Sequence, residues 1–110
     1  MKRNKFNAKK QNYGGRTYHS IKEANYAMEL DWRIKAGEVK EWIPQYKLVL
    51  DVNGKHICNY YMDFKVILSD GSVELHEVKG FETDVWRLKW RITEAILDEI
   101  EPGSKLVLVK

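Results

Sequence analysis

The stretch HICNYYMDFKVILSDGSVELHEVK, residues 56–79, decides the fold that the sequence predicts. Its first part, up to Leu68, is rich in β-branched and aromatic residues, and a second strand-like run begins at Val73. Between the two runs lies Ser69-Asp70-Gly71-Ser72, a typical turn sequence. The stretch therefore predicts an antiparallel β-hairpin.

A third strand precedes this hairpin. Residues Trp42 to Leu50 are strand-like but contain Pro44, which suits an edge position or the start of a strand because proline has no N–H to donate. The Asn53-Gly54 pair after them is a turn signal. The three strands together predict an antiparallel meander.

A helix is predicted on each side of the meander. Ser20 and Glu23 form a capping box at the start of the first helix, and Gly37 ends it after Lys35. Its expected apolar stripe is Ile21, Ala24, Ala27, Met28 and Ile34. The second helix covers residues 84–100. Its expected apolar stripe is Val85, Leu88, Ile92, Ala95, Ile96 and Ile100.

The predicted order is α-β-β-β-α-β, because Leu106 to Val109 reads as a buried last strand after the Pro102-Gly103 break. This is an α/β (equally α+β) fold with a mostly antiparallel sheet flanked by two helices. A chain of 110 residues forms one domain. We predict a basic flexible arm over residues 1–12 and a single domain over residues 13–110, which opens with a tight turn between Tyr13 and Tyr18.

Charge is distributed unevenly along the chain. Seven of the 19 basic residues precede the first acidic residue, Glu23, so that the remainder holds 12 basic against 16 acidic residues. A basic arm can displace counterions from phosphates, which favours DNA as a partner over a merely solubilising tail. Candidate contacts in this region are Lys9, Lys10 and Arg16.

The cellular setting follows from what the sequence contains. Cys58 is the single cysteine and reads as a buried or half-buried free thiol, which fits a reducing compartment. There is no apolar run of 18 residues and no apolar signal core. We therefore expect a cytoplasmic protein without membrane contact.

Three residues of the hairpin form the candidate catalytic cluster. Glu77 and Lys79 share one face of their strand because alternate side chains point the same way. A hairpin centred on the Ser69–Ser72 turn places Asp63 near the level of Glu77 and Val78. Two carboxylates and a lysine suit metal-dependent phosphodiester cleavage. The alternative is a solvated Glu–Lys pair with an unrelated surface aspartate.

Four segments carry a resemblance to a known enzyme superfamily. They are Tyr18-His19-Ser20-Ile21-Lys22-Glu23-Ala24, Trp42-Ile43-Pro44-Gln45-Tyr46, Tyr61-Met62-Asp63-Phe64 and Glu77-Val78-Lys79-Gly80-Phe81-Glu82-Thr83. With Arg87-Leu88-Lys89 after them, residues 13–100 resemble the PD-(D/E)XK nucleases. Within that superfamily they resemble small phage and prophage nuclease-like proteins related to phage endonucleases that resolve Holliday junctions. Met62 stands where the superfamily's name has proline, at a position that varies.

The resemblance implies a role for each matched residue. Asp63 and Glu77 would bind Mg²⁺ or Mn²⁺, with the Val78 carbonyl as a further ligand. Lys79 would position the attacking water or stabilise charge on the phosphate in the transition state. Glu23 matches an acidic residue that completes the metal site in some relatives, although helix capping also explains it. Gln45 matches a polar residue near the site in several relatives, although an edge-strand polar side chain is as good an explanation.

Other polar and aromatic residues have weaker claims on the function. Lys89 borders the apolar stripe of the second helix and is a candidate for reaching a phosphate. Arg87 and Arg91 share a helix face that suits DNA contact or plain solvation. Trp86 and Trp90 lie one turn apart and read first as core, with a dimer surface as the alternative. The histidines, His19, His56 and His76, lack metal-ligand spacing and read as surface residues.

The expected function is a divalent-metal-dependent DNA endonuclease, phage-encoded if the resemblance holds and so active in the bacterial host's cytoplasm. Branched or junction DNA is a candidate substrate, and cutting both strands of a junction would need a homodimer. The first alternative is a non-catalytic DNA-binding module that keeps the nuclease fold. The second is an interaction protein anchored by Trp86 and Trp90.

Overall fold

The computed structural model of the chain describes residues 11–18 and 20–110. Its elements are β1 (Gln11–Tyr13), β2 (Arg16–Tyr18), α1 (Ile21–Lys35), β3 (Val39–Val52), β4 (Lys55–Leu68), β5 (Val73–Val78), α2 (Asp84–Ile100) and β6 (Ser104–Val109). The main sheet has the order β3-β4-β5-β6, antiparallel except for the β5–β6 pair. The predicted meander, the two helices and the last strand are confirmed.

The N-terminal hairpin is tied to the body of the protein. The hydroxyl of Tyr13 and the indole Nε1 of Trp42, the latter at 2.8 Å, both donate to the Asp31 carboxylate on α1. Gln11 and Asn12, which the sequence analysis placed in the arm, lie in β1, whereas residues 1–10 of the predicted arm lie outside the described residues. Lys9, Lys10 and His19 lie outside the described residues.

Helix α1 begins where it was predicted to begin. The Ser20 hydroxyl accepts a hydrogen bond from the Glu23 N–H at 3.0 Å, which satisfies one donor that the first turn leaves unpaired. After the last turn the chain passes through Gly37, whose φ of +82° is costly for any residue with a Cβ atom. The predicted bounds of α1 are therefore confirmed.

The predicted apolar stripes of both helices are partly wrong. On α1 the buried residues are Glu23, Ala24, Ala27 and Leu30, whereas Ile21, Met28 and Ile34 are exposed. On α2 the buried residues are Trp86, Thr93 and Ile96, whereas Val85 and Leu88 are 65% and 62% exposed. Glu23 on α1, and Trp86 and Thr93 on α2, are polar or amphipathic side chains that face inward, which displaces the apolar flank of each helix towards solvent. The last strand, β6, is mostly half-buried rather than buried.

The core has two parts, one on each face of the sheet. The α1-side core contains Phe64 and Val66 together with Ala27 and Leu30 of α1. The α2-side core includes Leu75 of β5 together with Leu48, Leu50, Tyr60, Met62, Trp86 and Ile96. Burying a large apolar side chain in either core contributes about 1.5–3 kcal/mol.

The long β3–β4 hairpin changes from one core to the other along its length. Met62 and Phe64 have the same parity in β4, yet Met62 packs in the α2-side core and Phe64 in the α1-side core. At the same level of the hairpin, Gln45 of β3 has a positive φ of +52°. The hairpin thus twists sharply at Asp63 and Gln45, and this twist positions the candidate site.

Candidate active site on the α2 side of the sheet

An open cavity of about 310 Å³ lies where β4, the end of β5 and the first turn of α2 meet. Its wall includes five residues predicted from the sequence, namely Gln45, Asp63, Glu77, Lys79 and Lys89. The structure therefore brings together, from four different elements or their ends, the side chains that the sequence analysis selected.

Asp63 and Glu77 are neighbours because of the hairpin register. Phe64 pairs with His76, so the next positions along the strands bring Asp63 opposite Glu77, within one residue of the predicted level. The Asp63 Oδ2 atom accepts a hydrogen bond from the Val78 N–H at 2.7 Å. This bond fixes the Asp63 carboxyl beside the end of β5.

Glu77 is almost fully buried, with 3% of its surface exposed. Its Oε2 atom accepts hydrogen bonds from the Tyr60 hydroxyl and from the Trp86 indole Nε1, the latter at 2.9 Å. Trp86 Nε1 also lies 2.8 Å from the Tyr60 oxygen. Glu77 is therefore held by two aromatic donors inside the α2-side core.

Burial makes both carboxyl groups reluctant to ionise. It raises the pKa of Asp63 to about 7. Hydrogen bonding to Glu77 opposes this rise in pKa, and the charge of Glu23 adds to it. Burial likewise raises the pKa of Glu77 to about 8, with hydrogen bonding to Asp63 and the charge of Asp63 acting in the same direction. Two adjacent acids with raised pKa values in one cavity are typical of a functional site.

The main chain of Lys79 is fixed on both sides. Its N–H donates to the Val109 carbonyl of β6 at 2.8 Å, and its carbonyl accepts from the Lys22 ammonium at 3.2 Å. The Lys79 ammonium itself lies 5.0 Å from the centre of the Trp86 ring, within cation–π range. The last strand therefore serves the site by holding the residue that follows β5.

Gln45 lies at the twist of the hairpin. Its neighbours Pro44 and Tyr46 pair with Phe64 and Met62, which places Gln45 across the strand from Asp63. A φ of +52° costs roughly 1–3 kcal/mol for a residue with a side chain, and such strain concentrates at functional sites. The strained backbone directs a polar side chain to the wall of the cavity.

Glu23 reaches the cluster from α1 but does not line the cavity. It is buried, and both its charge and its hydrogen bonding raise the pKa of Asp63. Its own N–H is bonded to the helix cap, as predicted. Helix capping thus explains the backbone of Glu23, whereas the contact with Asp63 explains why its carboxyl is buried. Its assignment as a metal ligand stays a prediction.

The remaining predicted residues lie in different surroundings. Lys89 lines the cavity and donates to the Asn59 carbonyl at 3.4 Å. Arg87 is paired with Asp84 at 2.8 Å on the exposed face of α2. Arg91 and Arg16 are exposed. The Val78 N–H is used by Asp63, and its carbonyl as a ligand stays a prediction.

Two histidines and the tryptophan pair lie in contrasting surroundings. His76 was predicted to lie on the surface, which is wrong, since it is 2% exposed between Tyr26 and Glu74. His56 is exposed and paired with Asp51, as expected. Trp86 and Trp90 stack with ring centres 5.5 Å apart, and burial of Trp86 in the core argues against this pair as an interaction anchor.

Sequence reasoning missed two residues of the site, Tyr60 and Trp86. Both belong to apolar patterns, and such patterns do not record that a phenol or an indole carries a donor that must be satisfied when it is buried. A tryptophan in the first turn of the helix after Glu77 and Lys79 was the available signal.

The acids of this cavity suit a divalent cation. In residues 11–18 and 20–110, no group of three or more His, Cys, Asp and Glu side chains is arranged to hold a metal ion as it stands. Mg²⁺ and Mn²⁺ are nevertheless commonly bound by one or two carboxylates, with water and phosphate oxygens in the other positions. The raised pKa values of Asp63 and Glu77 reflect a cost of ionisation that such a cation would offset. The residues present therefore fit the ion.

Comparison with known families shows which family the chain belongs to. Residues 3–103 match the family described as "Protein of unknown function (DUF1064)". Because the match covers most of the chain, the protein belongs to the DUF1064 family. No curated protein and no solved structure matches it. In the part of the chain that the structure describes, no helix is long and apolar enough to cross a membrane.

Proposed function

We propose that this DUF1064 protein is a divalent-metal-dependent DNA endonuclease with a core of the PD-(D/E)XK type. One observation carries the proposal: a buried acid, Glu77, and a half-buried acid, Asp63, lie side by side with raised pKa values and line one open cavity together with a lysine. Buried charges are costly unless they are paired or bind a cation, so a purely structural role leaves the Asp63–Glu77 pair without a reason.

The two acids and the lysine would have different roles in cleavage. Asp63 and Glu77 would hold Mg²⁺ or Mn²⁺, which would polarise the phosphate and lower the pKa of a bound water. Lys79 presents its ammonium to the cavity and stabilises negative charge that develops on the phosphate oxygens. Water adds to phosphorus and the P–O bond to the leaving nucleoside breaks, giving a phosphomonoester and a hydroxyl.

Two further side chains of the cavity wall fit binding of a DNA backbone. Lys89 approaches from α2, from a different element than Lys79, so two ammonium groups can flank one strand. The Gln45 amide, on the wall formed by β3, can donate to a phosphate oxygen or accept from a water. Lys9, Lys10 and Arg16 would add salt-dependent contacts to DNA beyond the cavity.

The test is cleavage by the purified chain. Supercoiled plasmid, linear duplex, single-stranded, flap and four-way junction DNA are incubated with Mg²⁺, Mn²⁺ or a chelator. We expect metal-dependent cleavage of at least one substrate, abolished by Lys79→Ala and retained in Lys105→Ala, a control at an exposed strand position. Symmetrical cutting of the junction would additionally require a homodimer, which sedimentation measures.

The outcome that contradicts the proposal is equally concrete. Absence of cleavage on all five substrates with either metal would show that the chain is no nuclease. Salt-dependent DNA binding that is indifferent to metal and to Glu77→Gln would then identify a non-catalytic DNA-binding module.

A further inference from the structure

We infer that Trp86 is a positioning residue that orients both Glu77 and Lys79, through the edge and the face of a single indole ring. The inference rests on the proposed function, because it names how the two working side chains of that site are held. It is carried by distances and burial around Trp86 itself.

The edge of the indole is directed at Glu77. The Trp86 Nε1–H group is shared between two acceptors, the Tyr60 oxygen at 2.8 Å and Glu77 Oε2 at 2.9 Å, while the Tyr60 hydroxyl donates to the same Oε2 atom. Since Trp86 is 7% exposed, a lost bond to Glu77 is not readily replaced by water. The N–H therefore fixes the rotamer of a carboxyl that the proposed function requires at one place.

The face of the same ring is directed at Lys79. The ammonium lies 5.0 Å from the ring centre, where the negative π surface attracts a cation. Phenylalanine would keep this face but lack the N–H, and leucine would lack both. Tryptophan thus combines the two contacts, and this explains why an amphipathic residue occupies this buried position of α2.

Trp86 is itself held in place by its own helix. Its main-chain N–H donates to the Thr83 hydroxyl, the N-cap of α2, at 3.1 Å. Trp90, one turn further along, stacks on the indole with the ring planes 28° apart. The N-cap and the stacking partner fix the position and tilt of the ring. The orientation of α2 therefore determines where the indole meets Glu77 and Lys79.

The experiment compares the same conservative substitution at two tryptophans. Trp86→Phe keeps the aromatic face and removes the N–H, whereas Trp32→Phe is the matched control at an exposed position of α1. Residues that orient metal ligands typically change metal affinity or activity by about 10–100-fold. We expect Trp86→Phe to weaken Mn²⁺ binding by about 10-fold in calorimetry and to lower kcat in similar proportion, with KM for DNA little changed. Trp32→Phe should bind Mn²⁺ and cleave like the wild type.

Mn²⁺ affinity separates this inference from the proposed function. If the wild type binds Mn²⁺ but cleaves no DNA, the proposed function fails while the effect of Trp86→Phe on affinity still tests the inference. Equal Mn²⁺ affinity and equal kcat in folded Trp86→Phe and wild type would overturn the role of Trp86.

A measurement on the Trp86 ring covers the case in which Trp86→Phe does not fold. The indole N–H resonance of Trp86 is observed by nitrogen-15 NMR in otherwise unaltered protein. We expect it to be protected from exchange and to shift in Glu77→Gln, while the Trp90 indole resonance stays in place. An unshifted Trp86 resonance would show that the indole does not hold Glu77, and the inference would be wrong.

Discussion

The two faces of β5 bury neighbouring polar residues in contrasting ways. His76 faces α1, where Nδ1 lies 2.5 Å from the Tyr26 hydroxyl and Nε2 2.8 Å from Glu74. Burial lowers its pKa, so the ring is neutral, with one nitrogen accepting from Tyr26 and the other donating to Glu74. Glu77 faces α2 and lies next to a second acid at an open cavity.

The contrast separates a polar residue with a structural role from one for which we propose a functional role. His76 has a hydrogen-bond partner for each ring nitrogen and is closed off from solvent. Its burial therefore needs no further ligand. Glu77 is satisfied on one oxygen by aromatic donors, yet burial and Asp63 still raise its pKa. Because ionisation of Glu77 is costly in the metal-free fold, a bound cation would stabilise its charged form.

The largest expected effect is the loss of activity on the α2 face. Glu77→Gln removes a proposed metal ligand and should lower metal-dependent cleavage by roughly 100-fold or more, with no loss of stability because a costly buried acid is replaced by a neutral amide. The matched control is Glu74→Gln, on the same strand but beside His76. Equal loss of cleavage in both variants would erase the distinction between the two faces.

The next effect concerns stability and belongs to the α1 face. His76→Ala leaves a cavity and unpairs Tyr26 and Glu74, so the free energy of unfolding should fall by about 2–3 kcal/mol in urea denaturation. The exposed His56→Ala should change it by less than about 0.5 kcal/mol. Cleavage per folded molecule should survive in His76→Ala, and its loss would assign His76 to the site.

A third prediction uses pH. The folded chain holds protons on Asp63 and Glu77 up to about pH 7 and 8, whereas the unfolded chain releases them near their ordinary values of 3.8 and 4.5. In that interval the folded state binds more protons, so the metal-free protein loses stability as pH rises, on the order of 5 kcal/mol from pH 5.5 to 8.5. Mg²⁺ or Mn²⁺ binds the ionised acids and should raise the melting temperature more at pH 8.5 than at pH 5.5.

The control for this pH dependence is the double variant Asp63→Asn/Glu77→Gln. It retains His76, whose lowered pKa makes stability fall as pH decreases below its ordinary value of 6.5 and so acts in the opposite sense. The difference between the wild type and the double variant isolates the acids. Parallel curves for the two proteins would show that the acids are ionised in the metal-free fold.

The core of the site was predictable because it depends on short-range geometry. The Ser69–Ser72 turn determines the register of β4 and β5, and strand alternation then determines which face Glu77 occupies. These two local rules were enough to place Asp63 within one residue of its partner. The Ser20 cap and the Gly37 end of α1 were predictable for the same reason.

The rest depended on which surface each helix meets. Counting apolar residues predicted Val85 and Leu88 on the buried face of α2, but the bond from Trp86 to Glu77 turns the helix so that both are exposed. On α1 the burial of Glu23 beside Asp63 has the same consequence for Ile21 and Met28. A hydrophobic pattern cannot reveal an inward polar residue whose partner lies on a distant strand. His76 was misplaced for this reason too.

The smallest expected effect tests the twist at which the hairpin passes from one face to the other. Gln45→Ala and Gln45→Gly remove the same side chain, but only glycine adopts a φ of +52° without a steric cost of roughly 1–2 kcal/mol. Because glycine loses more conformational freedom on folding, we expect Gln45→Gly to be more stable than Gln45→Ala by about 1 kcal/mol in urea denaturation.

Both Gln45 variants should cleave DNA more slowly than the wild type and equally so, since both lack the amide at the cavity wall. The comparison has an internal reference in Asn53, which has the same φ of +52° in the turn at the far end of the hairpin. Asn53→Gly against Asn53→Ala should show a stability difference of the same sign with no change in cleavage. If the two Gln45 variants were equally stable while the Asn53 pair differed, the backbone at Gln45 would not be held at positive φ. The twist beside Asp63 would then have to come from the packing of Met62 and Phe64 into opposite cores.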